Sequence, residues 1–407
     1  MEQPPDAPTA PTHSVDGHRA AVIASFLGWT LDAFDFFLVT FALTAIGKEF
    51  GESDVAMGAT IATTLAFRPL GAFVFGLMAD RYGRRLPLMI DLVFYSVIEV
   101  ATGFTHSFTS FIVMRALFGI GMGGEWGVGA SLAMEKAPSH RRGIFSGFLQ
   151  EGYALGNLLA AACYFVVFPR WGWRPMFFIG GLPALLALYV RSHVKESEVW
   201  QRTRERDWKA YGRSIASNWK LFIYLVFLMA MMNFVSHGTQ DMYPTFLQRD
   251  WHVTPERRAV ITAIGNIGAI IGGILFGHFS DRIGRRKSII IALLLAIVAI
   301  PLWAYAPSIP LLMLGAFIMQ FMVQGAWGVI PAHINELAPN SVRGFFPGFA
   351  YQCGVMIAGT VTTIEPLIAR HTSYANAMAI TAISVLSLGA VAAWVGHERR
   401  GIVFQES

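Results

Sequence analysis

The sequence predicts an all-α membrane protein with twelve transmembrane helices in two pseudo-symmetric six-helix halves and both termini in the cytoplasm. Three observations support this prediction: the composition, the spacing of the apolar runs and an internal repeat. Hydrophobic residues make up 54% of the 407-residue chain and charged residues only 14%, whereas soluble domains carry about 25% charged residues. So little charge excludes an ordinary cytosolic enzyme, a disordered protein and a secreted disulfide scaffold.

The apolar runs predict where the chain crosses the bilayer, since each crossing needs about 20 apolar residues. Spans 1 to 12 are predicted at 20–46, 56–79, 86–105, 109–134, 143–168, 174–192, 219–248, 258–280, 288–306, 309–335, 344–369 and 373–396. The resulting organisation is a disordered cytoplasmic tail at 1–18, an N-terminal half at 19–192, a cytoplasmic linker at 193–218, a C-terminal half at 219–397 and a cytoplasmic tail at 398–407. Residues 1–18 lack the basic start and short apolar core of a signal peptide.

Lys and Arg residues predict the orientation. With the N-terminus inside, 22 of the 31 fall in cytoplasmic segments and seven in external loops, while Arg68 and Arg115 lie within spans. Basic residues favour the cytoplasmic side, so the chain is expected to be a multi-pass protein of the plasma membrane, surrounded by lipid. The net charge of +5 arises from these loops and indicates no nucleic-acid partner.

An internal repeat appears when the sequence is shifted by 201 residues. Three pairs of blocks then align: Gly76–Arg85 with Gly277–Arg286, Gly124–Gly127 with Gly325–Gly328, and Glu135–Phe148 with Glu336–Phe349. Agreement over three blocks at one offset indicates two parallel six-helix halves. In transporters built this way, the substrate site lies between the halves near the membrane midplane.

The repeated G-x-x-x-D-R-x-G-R-R loop and the E-x6-R pairs after spans 4 and 10 resemble signatures of the major facilitator superfamily. This resemblance covers essentially the whole chain and implies a cytoplasmic gate, in which acids cap helix N-termini and pair with clustered arginines. Simple topology anchoring by the arginines is the alternative. The predicted gate residues are Asp80, Arg81, Arg84, Arg85, Glu135, Arg142, Asp281, Arg282, Arg285, Glu336 and Arg343.

Charged residues inside the membrane are costly and are therefore functional candidates. Arg68 lies about 12 residues from each end of span 2, close to the midplane, and its guanidinium suits a carboxylate. Either it contacts an anionic substrate, or it pairs with Asp32, Asp35 or Glu125 from neighbouring spans. Arg115, near the start of span 4, is expected to be a structural partner of an acid.

The same three acids are candidates for proton coupling. Asp32 and Asp35 are three residues apart on one face of span 1, and Glu125 lies in span 4. Burial disfavours the charged form of a carboxyl group, so any of them could carry a proton. Alternatively, one of them neutralises Arg68 and never titrates.

Span 7 carries a polar stripe. Asn233, Ser236, His237, Gln240 and Asp241 follow one another at i, i+3, i+4, i+7 and i+8, the spacing of one helix face. In lipid such a face must turn towards other helices or a water-filled cavity. A cavity lining is the functional interpretation, and a packing network is the alternative.

This stripe resembles the N-x-x-[ST]-H-x-[ST]-Q-D-x-x-x-T motif of fungal Jen-type lactate/pyruvate:proton symporters, and Thr239 and Thr245 complete the match. The runs around Asp32 and Arg68 also look like that group and its bacterial sialate:proton relatives. The resemblance implies that Arg68 and Gln352 of span 11 contribute to monocarboxylate recognition. At the position three residues after Gln352, where a polar residue is expected, this chain has Val355.

Together these features predict a proton-coupled symporter of short monocarboxylates such as lactate or pyruvate, working by alternating access as a monomer. The proton is the coupling ion, and no other cofactor or metal is expected. The predicted substrate-binding residues are Arg68, Asn233, Ser236, His237, Gln240 and Gln352. The predicted proton-coupling residues are Asp32, Asp35, Glu125, His237 and Asp241.

Two alternatives keep the same fold: a proton symporter of a larger organic acid, such as a sialic or aromatic acid, and a transporter-like metabolite sensor. A sensor is expected to add a long cytoplasmic segment, which the short predicted tails do not provide. An ATP-driven pump and a membrane enzyme are disfavoured because the sequence contains no G-x-x-x-x-G-K-[ST], no G-x-S-x-G and no metal-ligand spacing.

Overall fold

The computed structural model describes residues 15–205 and 207–404, and this part of the chain is helical without β-strands. The prediction of an all-α fold is confirmed. Eight spans are single helices: span 1 is Val15–Phe50, span 2 Asp54–Tyr82, span 3 Arg85–Gly103, span 4 Phe108–Lys136, span 8 Pro255–Ile283, span 9 Arg285–Ala304, span 10 Ile309–Leu337 and span 12 Tyr374–Val395. Span 1 thus begins inside the predicted tail, of which residues 1–14 lie outside the described residues.

The other four spans are each broken into two helices. Span 5 is Arg142–Gln150 and Gly152–Trp171, span 6 Arg174–Ile179 and Pro183–His193, span 7 Trp219–Gln240 and Tyr243–Arg249, and span 11 Phe346–Ala358 and Val361–Ala369. Glycine or proline lies at or beside each break, as expected because neither residue supports a regular helix. Broken spans expose backbone groups, which is tolerated where the backbone is packed in protein or lines a cavity.

Within the described residues, ten helical stretches are long and apolar enough to cross a membrane. The two remaining predicted spans are span 4, whose hydropathy is lowered by Arg115 and Glu125, and the broken span 11. The linker between the halves contains two short helices, Glu198–Thr203 and Trp208–Ser217.

The two halves pack against each other through the cytoplasmic portions of their spans. Arg142–Gln150 of span 5 packs on spans 8 and 10, while Phe346–Ala358 of span 11 packs on spans 2 and 4. Span 4 approaches span 11 so closely that a Cβ at Gly127 would lie 2.6 Å from the Cα of Gly348. With the orientation given by the basic loops, the molecule is closed towards the cytoplasm.

Candidate functional site

Arg68 lies in the middle of span 2 and is only 4% exposed. Its Nε and Nη2 atoms are buried and have no hydrogen-bond partner among the described residues. No ion pair joins Arg68 to Asp32, Asp35 or Glu125 in the described part of the chain. A buried guanidinium with unpartnered donors is unfavourable by itself and suits a carboxylate ligand.

Tyr351 of span 11, in the opposite half, contacts Arg68. The guanidinium carbon of Arg68 lies 5.8 Å from the centroid of the Tyr351 ring, within the range of a cation–π contact. Arg68 belongs to the N-terminal half and Tyr351 to the C-terminal half, so the contact crosses the interface between the halves.

Three tryptophans surround the Tyr351 ring. Trp126, Trp327 and Trp29 have ring centroids 4.4, 5.9 and 6.5 Å from that of Tyr351. Trp126 and Trp327 are equivalent in the internal repeat, since 126 + 201 = 327. The indole N–H groups of Trp29 and Trp327 are buried donors without a hydrogen-bond partner among the described residues. These four rings therefore form an aromatic cluster in which two of the indole N–H groups are unpartnered in the described part of the chain.

Gln352 follows Tyr351 and is buried. Its Nε2 donates to the carbonyl oxygen of Gly123 in span 4 at 3.4 Å, and its Oε1 has no partner in the described part of the chain. Spans 2 and 4 are in close contact here, because a Cβ at Gly123 would lie 1.9 Å from the carbonyl oxygen of Arg68. The structure thus brings together two predicted substrate-binding residues, Arg68 and Gln352.

A group of fully buried acids lies in the N-terminal half. It contains the predicted candidates and two acids of span 3 that sequence reasoning did not single out: Asp32, Asp35, Glu125, Asp91 and Glu99. The carboxylates of Asp32, Asp35, Asp91 and Glu125 have no hydrogen-bond partner among the described residues. Such groups are costly to bury in charged form. Their position inside predicted spans was the available signal for Asp91 and Glu99.

The two acids of span 1 have different surroundings. Arg68 is the cation that acts on Asp32, whereas Asp35 faces Glu99 and Arg115. Arg115 donates to Glu99 at 2.5 Å and forms a fully buried ion pair with it. Arg115 is therefore a structural partner of an acid, as the sequence predicted, and Asp32 is the acid linked electrostatically to Arg68.

The stripe of span 7 reaches the end of a helix in the structure. Its helix ends at Gln240, so Asp241 lies in the break that precedes Tyr243–Arg249. His237 Nδ1 and Asp241 Oδ2 are 3.1 Å apart, and both side chains are about one-third exposed, 37% and 32%. Gln240 instead donates to Oε1 of Gln320 in span 10 at 2.8 Å. The backbone N–H of Asp241 still donates to the carbonyl of His237 at 3.1 Å, so the five residues keep the spacing of one helix face.

Other residues of the stripe lie deeper. The buried Asn233 donates to the Met229 carbonyl of its own helix at 2.8 Å, and Ser236 is half-buried. Asn233 occupies the repeat position of Asp32, since 32 + 201 = 233. The N-terminal half thus has a carboxylate where the C-terminal half has a neutral amide.

Glu365 of span 11 was not singled out from the sequence. It is 1% exposed, and both carboxylate oxygens are unpartnered among the described residues. Asp241 is its charged neighbour. Its location inside a predicted span was the signal that could have identified it.

The predicted cytoplasmic gate contains a network of hydrogen bonds around Asp80. Its carboxylate accepts from the backbone N–H groups of Gly344 and Phe345 in the other half, at 2.7 and 3.1 Å. It also accepts from Arg84 at 2.9 Å and from the hydroxyl of Tyr211 in the linker at 3.0 Å. Burial and the Asp80 carboxylate raise the pKa of Tyr211, so this hydroxyl keeps its proton and donates.

Asp281 repeats this arrangement on the other side. Its carboxylate accepts from the backbone N–H groups of Gly143 and Ile144 at 2.8 and 3.1 Å, and from Arg285 at 2.8 Å. Each aspartate therefore caps the start of a helix in the opposite half, where the helix dipole favours negative charge.

The glutamates of the gate pair with arginines from both halves. Glu135 binds Arg84 at 2.8 Å and lies 3.7 Å from Arg343. Glu336 binds Arg285 at 2.9 Å and Arg142 at 3.0 Å. Arg142 and Arg343 thus each pair with the glutamate of the opposite repeat, although each follows its own glutamate by seven residues.

Three further predicted gate residues contact neighbouring segments. Arg81 lies over the Trp208 ring of the linker at 5.2 Å. Arg85 donates to the carbonyl of Arg191 at the end of span 6. The carbonyl oxygen of Arg282 accepts from Arg400.

The chain matches the sugar (and other) transporter family over residues 14–218 and 212–396. It is 29% identical to the carboxylic acid transporter protein homolog of Saccharomyces cerevisiae, over 92% of this chain and 67% of that protein. It is 30% identical to the probable 4-methylmuconolactone transporter of Cupriavidus pinatubonensis, over 94% and 91%. It is 28% identical to the sialic acid transporter NanX of Escherichia coli, over 96% of both.

A solved structure of the proton:xylose symporter XylE of the major facilitator superfamily, bound to 6-bromo-6-deoxy-D-glucose, has the same fold. Its TM-score is 0.79 at 20% identity, over 96% of this chain and 98% of that one. This similarity confirms the fold predicted from the repeated loop. These matches are to multi-pass membrane transporters and not to enzymes.

Proposed function

The chain belongs to the sugar (and other) transporter family of the major facilitator superfamily, and on that premise we propose that it is a proton-coupled symporter of small organic monocarboxylates. The observation that carries this proposal is the buried guanidinium of Arg68. Its unpartnered Nε and Nη2 atoms lie beside Tyr351 of the opposite half. A carboxylate bound there would touch both halves, as alternating access requires.

Proton coupling follows from competition for Arg68. When Asp32 is ionised, its negative charge interacts with the guanidinium of Arg68. It then competes with a substrate carboxylate for that guanidinium. When Asp32 is protonated, the guanidinium is free to bind the anion. One anion and one proton then cross together, and their transport is electroneutral.

Among monocarboxylates, we propose short ones such as lactate and pyruvate. The motif of span 7 and the carboxylic acid transporter homolog of yeast support this choice. The Trp29, Trp126 and Trp327 rings around Tyr351 leave an apolar surface for a short carbon chain, while the free indole donors suit a hydroxyl or keto oxygen.

A larger organic acid is the second candidate. It is favoured by the similarity to transporters of sialic acid and 4-methylmuconolactone.

The test is uptake of labelled L-lactate into proteoliposomes under an inward proton gradient, with and without a protonophore. We expect gradient-driven uptake that the protonophore abolishes. Arg68→Lys removes the paired donors but keeps the charge, and should lower uptake at least about tenfold, since hydrogen bonds to charged groups contribute about 1.5–3 kcal/mol.

The matched control is Arg170→Lys, an exposed position whose guanidinium bonds only the Val166 carbonyl of its own helix in the contacts observed. Uptake that survives Arg68→Lys would refute carboxylate binding by Arg68. Uptake of sialic or aromatic acids in place of lactate would select the second candidate.

A further inference from the structure

The segment after span 12 folds back against the cytoplasmic gate. We call residues 396–404 the C-terminal strap. Its Phe404 side chain is 2% exposed, whereas the neighbouring Val403 is 46% exposed. Phe404 packs with apolar residues from several spans, including Val22 of span 1, Met134 of span 4 and Ala332 of span 10.

The Phe404 ring lies between two arginines of the gate. The guanidinium carbons of Arg142 and Arg343 are each 3.7 Å from its centroid. Arg142 belongs to the N-terminal half and Arg343 to the C-terminal half. Two cations that would repel each other are thus held on one aromatic ring, in a site where burial strengthens cation–π attraction.

Backbone groups of the strap also bind the gate. Arg142 Nη1 donates to the carbonyl of Ile402 at 3.1 Å, and the N–H of Gly401 donates to Glu336 at 3.4 Å. Glu398 accepts from the backbone N–H of Arg286 at the start of span 9, at 3.0 Å. The strap is therefore held at both its ends.

The first half has an equivalent arrangement after span 6. Glu196 accepts from the backbone N–H groups of Arg84 and Arg85 at 2.9 and 3.1 Å. A little further on, the indole of Trp200 donates to the carbonyl of Asp80 at 2.7 Å. In both halves, an acid fixes the segment to the start of a span and an aromatic side chain then enters the gate.

We propose that Phe404 is a further component of the cytoplasmic gate, whose ring stabilises the state closed towards the cytoplasm by contacting arginines of both halves. Opening towards the cytoplasm separates Arg142 from Arg343, so the ring must leave at least one of them in every transport cycle. This proposal rests on the fold and the closed gate, not on the identity of the substrate.

The test measures the distance between two spin labels at the cytoplasmic ends of the halves. The exposed His140 and Lys287 are replaced by cysteine, in a background with Cys163→Ser and Cys353→Ser. We expect Phe404→Ala to raise the ratio of open to closed gates about tenfold, because two cation–π contacts and the burial of one ring are lost.

The neighbouring Val403→Ala is the matched control, and the proposal predicts no change in its distance distribution. Phe404→Leu keeps most of the apolar volume but loses the π face, and should show an intermediate shift. If the alanine variant does not fold, the leucine variant still tests the proposal. Identical distributions for wild type, Phe404→Leu and Phe404→Ala would overturn the proposal, as would an equal shift in Val403→Ala.

Discussion

Asp32 and Asp35 differ in which cation they face, although they are only three residues apart. Arg68, whose Nε and Nη2 have no partner among the described residues, acts electrostatically on Asp32, whereas Glu99 and Arg115, which pair with each other, act on Asp35. In the coupling scheme, the proton on Asp32 decides whether Arg68 can accept a carboxylate. Asp35 has no comparable connection to the proposed substrate position.

We therefore predict that Asp32→Asn, which mimics a permanently protonated side chain, uncouples transport. Lactate exchange between preloaded vesicles and the outside should persist, because Arg68 remains free. Accumulation driven by the proton gradient should fall at least about tenfold, since the coupling site no longer titrates. Both are measured with labelled lactate in proteoliposomes.

Asp35→Asn is the matched variant and should retain most of the gradient-driven accumulation. If it uncouples transport and Asp32→Asn does not, Asp35 carries the proton and the competition for Arg68 is wrong.

At the residue scale, the sequence identifies charges better than aromatics. Arg68 and Asp32 stand out because an ionisable group in an apolar run is expensive. The sequence does not single out Tyr351, Trp29 and Trp126, because aromatic residues are common in membrane spans whether they face lipid, other helices or a ligand. Their convergence depends on the contact between halves, which a single sequence does not show.

Spans 2 and 4 position Arg68 through backbone contact. At Gly123 a Cβ would lie 1.9 Å from the Arg68 carbonyl oxygen, and at Gly119 it would lie 2.3 Å from that of Thr64. Small residues at these crossings let the helix backbones approach, a common device in membrane bundles.

Gly123→Ala should therefore push the two spans apart. We expect a destabilisation of about 1–3 kcal/mol, the usual cost of overpacking, seen as a lower midpoint of thermal unfolding in detergent. Gly58→Ala is the control in span 2, where a Cβ meets nothing within 4 Å; it should leave the midpoint unchanged or slightly higher. Equal midpoints for the two variants would contradict this packing.

At the element scale, the span lengths follow from hydropathy, but the breaks are harder to predict. The stripe of span 7 ends directly at such a break, because the helix ends at Gln240 and Asp241 is its C-cap. Periodicity also does not say which neighbour a polar residue meets, so the Gln240–Gln320 bond was not predicted. The pairing of Arg142 with Glu336, across the halves, was missed for the same reason.

For the whole molecule, the gate is nearly symmetric, but the linker breaks the symmetry. Asp80 receives a hydrogen bond from Tyr211 of the linker, so the linker binds the predicted gate as well as joining the halves.

We predict that Tyr211→Phe shifts the gate towards the open state. A hydrogen bond to a charged group contributes about 1.5–3 kcal/mol when buried, so the ratio of open to closed gates should rise about tenfold. The distance between spin labels at positions 140 and 287 reports the ratio of open to closed gates. Tyr305→Phe, which removes a hydrogen bond to Asn376 on the external side, is the control and should leave the distances unchanged. An unshifted distribution for Tyr211→Phe would show that this hydrogen bond has no part in closure.

The central claim is that one carboxylate anion and one proton share the site around Arg68 and Asp32. The most direct measurement is the internal pH of proteoliposomes, reported by a trapped dye, after L-lactate is added outside without any imposed gradient. We predict internal acidification with wild-type protein, independent of membrane potential, and none with Asp32→Asn. Labelled lactate entering wild-type vesicles without acidification, or acidification that persists in Asp32→Asn, would contradict it.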